Sequence, residues 1–323
     1  MKKALITGIA GQDGSYLAEL LLSKGYEVHG IVRRVAIEDT EHKLKNIAHI
    51  LDRIHLHVAS LDNVLSLIKV VKDIMPDECY HLAASSFVSY AFEDEISILS
   101  NNVDSTHYLL AVLREFAPSC RVYFAGTSEM FGNVSQSPQD ENTPFNPRSI
   151  YGISKVSGYY LVKNYRQQYN MFACSGILYN HESPRRGYEF VTRKIISAAV
   201  KIKQGSQDNL VLGNLDAYRD WGYAPDYVNA MWLMLQADAP DDYVVATGET
   251  HAVRDFVDMT FKALGLDYRT HVKIDQQLFR PTEQIQLRGN PAKAIARLGW
   301  KRTRTLDGII KEMIDHEINI QKR

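Results

Sequence analysis

Hydrophobic positions in the first half of the chain alternate between two rhythms. Short apolar runs at residues 3–6, 27–32, 54–58, 78–82, 121–125 and 173–178 are candidate buried strands. Between them, apolar residues recur at three- and four-residue spacing, as in Tyr16-Leu17-Leu20-Leu21, Val64-Leu67-Ile68-Val71 and Leu109-Leu110-Leu113. That spacing gives a helix one apolar stripe to bury. Six strand–helix steps in this order predict a parallel sheet covered by helices on both faces, an α/β doubly wound arrangement.

After about Asn180 the rhythm breaks into mixed helices and short strands with interruptions such as Glu182-Ser183-Pro184, Gln204-Gly205-Ser206 and Arg280-Pro281-Thr282. The reading is a Rossmann-type domain over residues 1–180, with later returns of the chain allowed, and a smaller α/β C-terminal lobe over residues 181–323 that takes the substrate. No internal repeat or low-complexity tract is visible.

Chemistry enters at the strand ends. Gly8, Gly11 and Gly14 follow the first strand and open the first helix, with Gln12 and Asp13 between the last two. A side chain there would obstruct a tight turn and the approach of backbone N–H groups to a diphosphate, which a helix N-terminus favours electrostatically. The second strand ends in Arg33 and Arg34, where an NAD protein usually carries an acid for the ribose 2′-hydroxyl. A guanidinium suits a 2′-phosphate, so NADP is the expected cofactor. At the fourth strand, Leu82, Ala83, Ala84, Ser85 and Ser86 are small enough to let a cofactor lie close.

Tyr151 and Lys155 stand four residues apart, on one helical face. A phenol near its ordinary pKa of about 10 is a poor base at neutral pH, and a neighbouring ammonium favours the phenolate. The fifth strand runs into Thr127, Ser128 and Glu129. Thr127 offers a hydroxyl beside the tyrosine. Glu129 adds a carboxylate that simple hydride transfer does not need, but that can remove a proton α to a carbonyl.

The remaining composition removes whole classes. The 323 residues carry a formal net charge of −1, which gives no field for nucleic acid or an anionic membrane. Cys79, Cys120 and Cys174 are an odd number without paired spacing, so free thiols in a reducing compartment are expected, not a disulfide or metal framework. Gln12 and Asp13 interrupt the apolar start before it could serve as a signal peptide, and no run is long enough to span a bilayer. A cytoplasmic protein is expected.

The glycine spacing and the Tyr/Lys pair resemble the extended short-chain dehydrogenase/reductases. Thr127-Ser128-Glu129, Tyr151 with Lys155, the run from Asn180 through His181, Arg185 and Arg186 to Gly187, and Arg219-Asp220-Trp221 together resemble the GDP-mannose 4,6-dehydratases over nearly the whole chain. Ser128 stands where other sugar dehydratases usually carry Asp. The resemblance implies conversion of GDP-D-mannose to GDP-4-dehydro-6-deoxy-D-mannose plus water. In that cycle Tyr151 takes the C4 hydroxyl proton as NADP accepts the hydride, and Lys155 holds the ribose. Glu129 then removes the C5 proton, water leaves C6 and the hydride returns there, with Thr127 and Ser128 orienting the sugar. It further implies His181 and Arg186 near the cofactor, with Ser86, Asn180, Lys194, Arg219, Arg280 and Glu283 on the substrate, and a homotetramer. Residues 35–50 depart from the family's usual serine-rich segment. A nucleotide-sugar 4-epimerase or 4-reductase would use the same Tyr, Lys and Thr but has no use for Glu129. A non-catalytic NADP sensor on this fold would commonly lose the Tyr/Lys pair.

Overall fold

The computed structural model describes residues 1–84, 94–279 and 287–321. Six strands come first: β1 (Lys3–Thr7), β2 (Glu27–Val32), β3 (His55–Val58), β4 (Glu78–His81), β5 (Arg121–Thr127) and β6 (Ala173–Leu178). Shorter ones follow: β7 (Asn180–Glu182), β8 (Leu210–Leu212), β9 (Tyr218–Arg219), β10 (Trp221–Tyr223), β11 (Asp242–Val245), β12 (His251–Ala252) and β13 (Val272–Ile274). The helices are α1 (Gln12–Ser23), α2 (Arg34–Glu38), α3 (Thr40–Lys43), α4 (Val64–Ile74), α5 (Glu95–Phe116) and α6 (Ile150–Tyr169). The second half adds α7 (Val191–Lys203), α8 (Ala224–Gln236), α9 (Val253–Ala263), α10 (Ala292–Leu298) and α11 (Leu306–Gln321).

The main sheet has seven strands in the order β11-β6-β5-β4-β1-β2-β3, all parallel. Every residue of β4 and β6 is buried, as expected of strands covered on both faces. The strand order reverses between β1 and β4, so a crevice opens at their C-terminal ends. Strands β1 to β6 coincide with the six apolar runs to within a residue or two at each end. The seventh, β11, arrives from the second half: Asp242 at its start accepts from Ser175 N at 3.1 Å and pairs with Arg166 of α6 at 2.6 Å.

Two apolar cores follow from this layout. One surrounds the sheet and takes in Tyr227 and Met231 of α8 and Trp300 after α10. The other, built from Ile195, Phe256, Phe261, Ile310 and Met313, joins α7, α9 and α11. Among the described residues no helix is long and apolar enough to cross a membrane.

Local sequence sets α6 where the chemistry needs it. Ser149 caps its first turn by accepting from Gly152 N at 3.0 Å. Gly152 lets that turn meet the backbone after β5: a Cβ there would lie 2.8 Å from the Glu129 carbonyl oxygen. Asn102 of α5 donates to Ser154 Oγ at 3.0 Å, fixing the helix's rotation.

Candidate active site

A cavity of about 910 Å³ opens above the strand reversal and is walled by both halves of the chain. The glycine turn forms its floor. Gly8 has φ +76°, and a Cβ there would press within 3.0 Å of Ala83 N; one on Gly14 would lie 2.2 Å from the Gly8 oxygen. Leu82 and Ala83 are held by their N–H groups, which both donate to Thr7 Oγ1 at 3.1 Å. Gly11 precedes helix α1 and gives it no side-chain cap, so its N-terminus is suited to an anion.

Behind Ala83 lies a buried chain of hydrogen bonds. Thr106 donates to the Asn102 carbonyl, so it accepts from His81 Nε2, and His81 Nδ1 accepts from Thr7. Burial, helped by the Lys155 charge, pushes His81 down to about 3, so it is neutral at ordinary pH.

On the opposite wall, Thr127 ends β5 and Glu129 follows in a 3₁₀ turn, its N–H 3.3 Å from Thr127 Oγ1. Tyr151 and Lys155 project from the first two turns of α6 and are buried. The Lys155 ammonium donates to the Ala125 carbonyl at 2.9 Å and lies 5.9 Å from the Tyr151 ring centroid. Burial pushes Lys155 down to about 8. Burial and the Glu129 carboxylate push the Tyr151 phenol above its ordinary value, while the Thr127 hydroxyl and the Arg186 guanidinium pull it down. A phenol, a hydroxyl and a carboxylate on one wall can move two different protons of one ligand.

The third wall is β7 and the turn after it. Arg186 stacks on Phe190 at 3.6 Å and pairs with Glu182 at 3.3 Å. Asn180 of β7 and Arg219 of β9 reach the same space, with Arg219 also donating to the Tyr218 carbonyl.

Gly8, Gly11, Gln12, Asp13, Gly14, Arg33, Leu82, Ala83, Ala84, Thr127, Glu129, Tyr151, Lys155, Asn180, His181, Arg186 and Arg219 thus share one cavity. Two residues grouped with them lie elsewhere. Ser128 is buried and off the cavity wall, because successive residues of a 3₁₀ turn point in directions about a third of a turn apart. Lys194 lies on the exposed side of α7 and donates to the Val211 carbonyl at 2.9 Å. Ser86, Arg280 and Glu283 fall outside the described residues. The sequence reading missed Asn102 and the strap of residues 43–46. Leu44 and Ile47 bury the strap, Asn46 donates to the Ala10 carbonyl at 3.0 Å, and Lys43 and Lys45 face the cavity beside Arg33. The alternation of buried and charged positions there was its only sequence signal. No group of three metal-binding side chains occurs among the described residues.

The geometry has clear counterparts. A protein from Thermus thermophilus, a UDP-glucose 4-epimerase in complex with NAD, superimposes with a TM-score of 0.85 at 23% identity over 98% of both chains. RMD from Pseudomonas aeruginosa, complexed with NADPH, gives 0.83 at 21% identity over 99% of this chain and 100% of that one. These likenesses establish the fold. Sequence relatives are much nearer. GDP-mannose 4,6 dehydratase 1 of Arabidopsis thaliana is 47% identical over 331 residues, covering 100% of this chain and 91% of the relative. The human GDP-mannose 4,6 dehydratase is 45% identical, with 99% and 92% covered, and that of Yersinia enterocolitica 43%, with 100% and 95%. The family profile described as GDP-mannose 4,6 dehydratase matches residues 5–313, from the first strand into the last helix, and so spans every wall of the cavity. On that match and those relatives, the chain belongs to the GDP-mannose 4,6-dehydratase family.

Proposed function

We propose that the protein is an NADP-dependent hydro-lyase converting GDP-D-mannose to GDP-4-dehydro-6-deoxy-D-mannose and water. The observation that carries this reading is Glu129: a carboxylate on the same cavity wall as the Tyr151 phenol and the Thr127 hydroxyl, in a chain whose relatives bear that enzyme's name.

The glycine turn, the uncapped α1 and the small residues after β4 fit a dinucleotide, and exposed Arg33 at the end of β2 fits a 2′-phosphate. When bound, the nicotinamide supplies a hydride acceptor and later the donor, and its oxidised ring adds positive charge beside the phenol. Tyr151 takes the proton of the C4 hydroxyl as that carbon becomes a ketone, with Thr127 holding the sugar oxygen. Lys155 supplies a nearby positive charge and a donor for the ribose. The new ketone acidifies C5–H, and Glu129 removes that proton as the C6 hydroxyl departs as water. The proton that Glu129 takes from C5 is the one the departing hydroxyl needs to leave as water, and the proton that Tyr151 took from the C4 hydroxyl goes to C5 as C6 becomes a methyl group. Arg219 and Asn180, on the second half's side of the cavity, meet the nucleotide-sugar. A homotetramer in the cytoplasm completes the proposal by resemblance.

Glu129→Gln tests the carrying observation. Product formation should fall by about 10²–10⁴-fold, with NADP affinity kept. Full turnover of the variant would leave the scaffold's 4-epimerase or 4-reductase chemistry in its place.

A further inference from the structure

Asp13 is out of place in a turn that holds a diphosphate. The α1 N-terminus attracts anions through its free N–H groups and its dipole, yet Asp13 puts a carboxylate in that same turn, lining the same cavity. A second negative charge there should repel the ligand unless something cancels it.

His181 of β7 is the cancelling group. Its Nε2 lies 2.8 Å from Asp13 Oδ2 and its Nδ1 lies 2.7 Å from the Tyr179 carbonyl oxygen. A carboxylate and a carbonyl only accept, so both ring nitrogens must donate, and the ring is an imidazolium. The Gln12 amide locks the pair: it donates to Asp13 Oδ1 at 3.0 Å and to the His181 carbonyl at 3.1 Å, and accepts from Ser183 Oγ at 2.8 Å. Arg185 adds a bond to Ser15 Oγ at 2.9 Å. Strand β7 and the turn after it are thereby stitched to the first turn of α1.

We propose that the His181 imidazolium is a positioning residue which neutralises Asp13 and aligns the α1 N-terminus, so that dinucleotide affinity depends on the His181 proton. The inference rests on the dinucleotide reading above. The groups facing the ring are Asp13 and Gln12 from α1, the Tyr179 carbonyl, Arg186 from the following turn and the Tyr227 ring of α8, stacked at 4.5 Å. Burial and Arg186 oppose its charge, but Asp13 outweighs them and raises it above the ordinary 6.5, while Asp13 is itself held low. When the proton leaves at higher pH, one of its two bonds is lost and the carboxylate faces the diphosphate uncompensated.

The test is the dissociation constant of NADP for the whole protein, measured by calorimetry from about pH 7 to about pH 9, a window above the ordinary histidine range. Wild-type affinity should fall across it. His181→Gln should weaken binding at pH 7 by about tenfold, the scale of one charge at a helix end. The double variant D13N/H181Q, with neither charge and similar shape, should regain most of the affinity and show a clearly shallower pH dependence than wild type, what remains coming from Lys155, which titrates at about 8 in the same window, and from the ligand's own titration. Its recovery also shows that the single variant's loss is not misfolding. A pH-independent wild type, an indifferent H181Q or a double variant no better than the single one overturns the proposal while leaving the dinucleotide reading intact. Failure of the wild type to bind NADP at all overturns the dinucleotide reading instead.

Discussion

At the residue scale the site is a set of groups made to titrate away from their ordinary values by burial. Tyr151 is raised and Lys155 lowered, so without further positive charge the phenol stays protonated at neutral pH. Tyr151→Phe removes the phenol oxygen to which the proposal assigns the C4 proton. Single-turnover assays should show product formation down by about 10²–10⁴-fold with substrate affinity nearly unchanged. His81 gives an acid-side prediction. Its folded-state value, about 3, lies below the ordinary 6.5, so the unfolded chain binds more protons in that interval. Stability is present above about pH 6.5 and lost as pH falls below it, by about 1.4 kcal/mol per unit for this group. His181 has the opposite sign: its raised value adds stability that disappears as pH rises through it. Urea unfolding at two acidic pH values should show a smaller pH slope in His81→Gln than in wild type.

At the element scale, the close seating of α6 on the turn after β5 brings the phenol and the carboxylate to one wall. Gly152→Ala would push a methyl group to 2.8 Å from the Glu129 carbonyl and force the two elements apart. The expected result is a fall in kcat with NADP affinity retained, and unchanged kcat would show that the seating is not required. Ser149→Ala removes the cap beside Tyr151 and should cost about 1 kcal/mol in chemical denaturation. Six strands were legible because each is a short run rich in apolar residues with a helix stripe behind it, and the candidate site lies at their ends. Asp242–Val245 was not, since a four-residue strand reached after a long excursion carries no mark of which strand it joins. The placement of Ser128 was hidden for a related reason: a motif names adjacent residues, while the 3₁₀ turn decides which of them points into the cavity.

At the scale of the whole molecule, the cavity exists only because two cores meet across it, one around the sheet and one around α7, α9 and α11. The sequence break near residue 180 marks a change of rhythm, and the buried residues of the second core all lie beyond it, from Ile195 onward. It could not show that α8, β11 and the segment around Trp300 return to the first core. A ligand bridging the two halves should stabilise the fold. At a hundred times its dissociation constant, NADP should add about 2.7 kcal/mol, seen as a raised unfolding midpoint, and NAD at equal concentration should add less.

The central claim is that the protein oxidises, dehydrates and reduces one sugar without consuming cofactor. It is tested most directly by following GDP-mannose with purified protein and a trace of NADP by proton NMR. The account predicts that the C6 hydroxymethyl signal is replaced by a methyl signal for many turnovers per NADP, with no matching accumulation of NADPH. A spectrum that stays unchanged while another nucleotide-sugar reacts, or turnover that stops once the trace of NADP is spent, would contradict it.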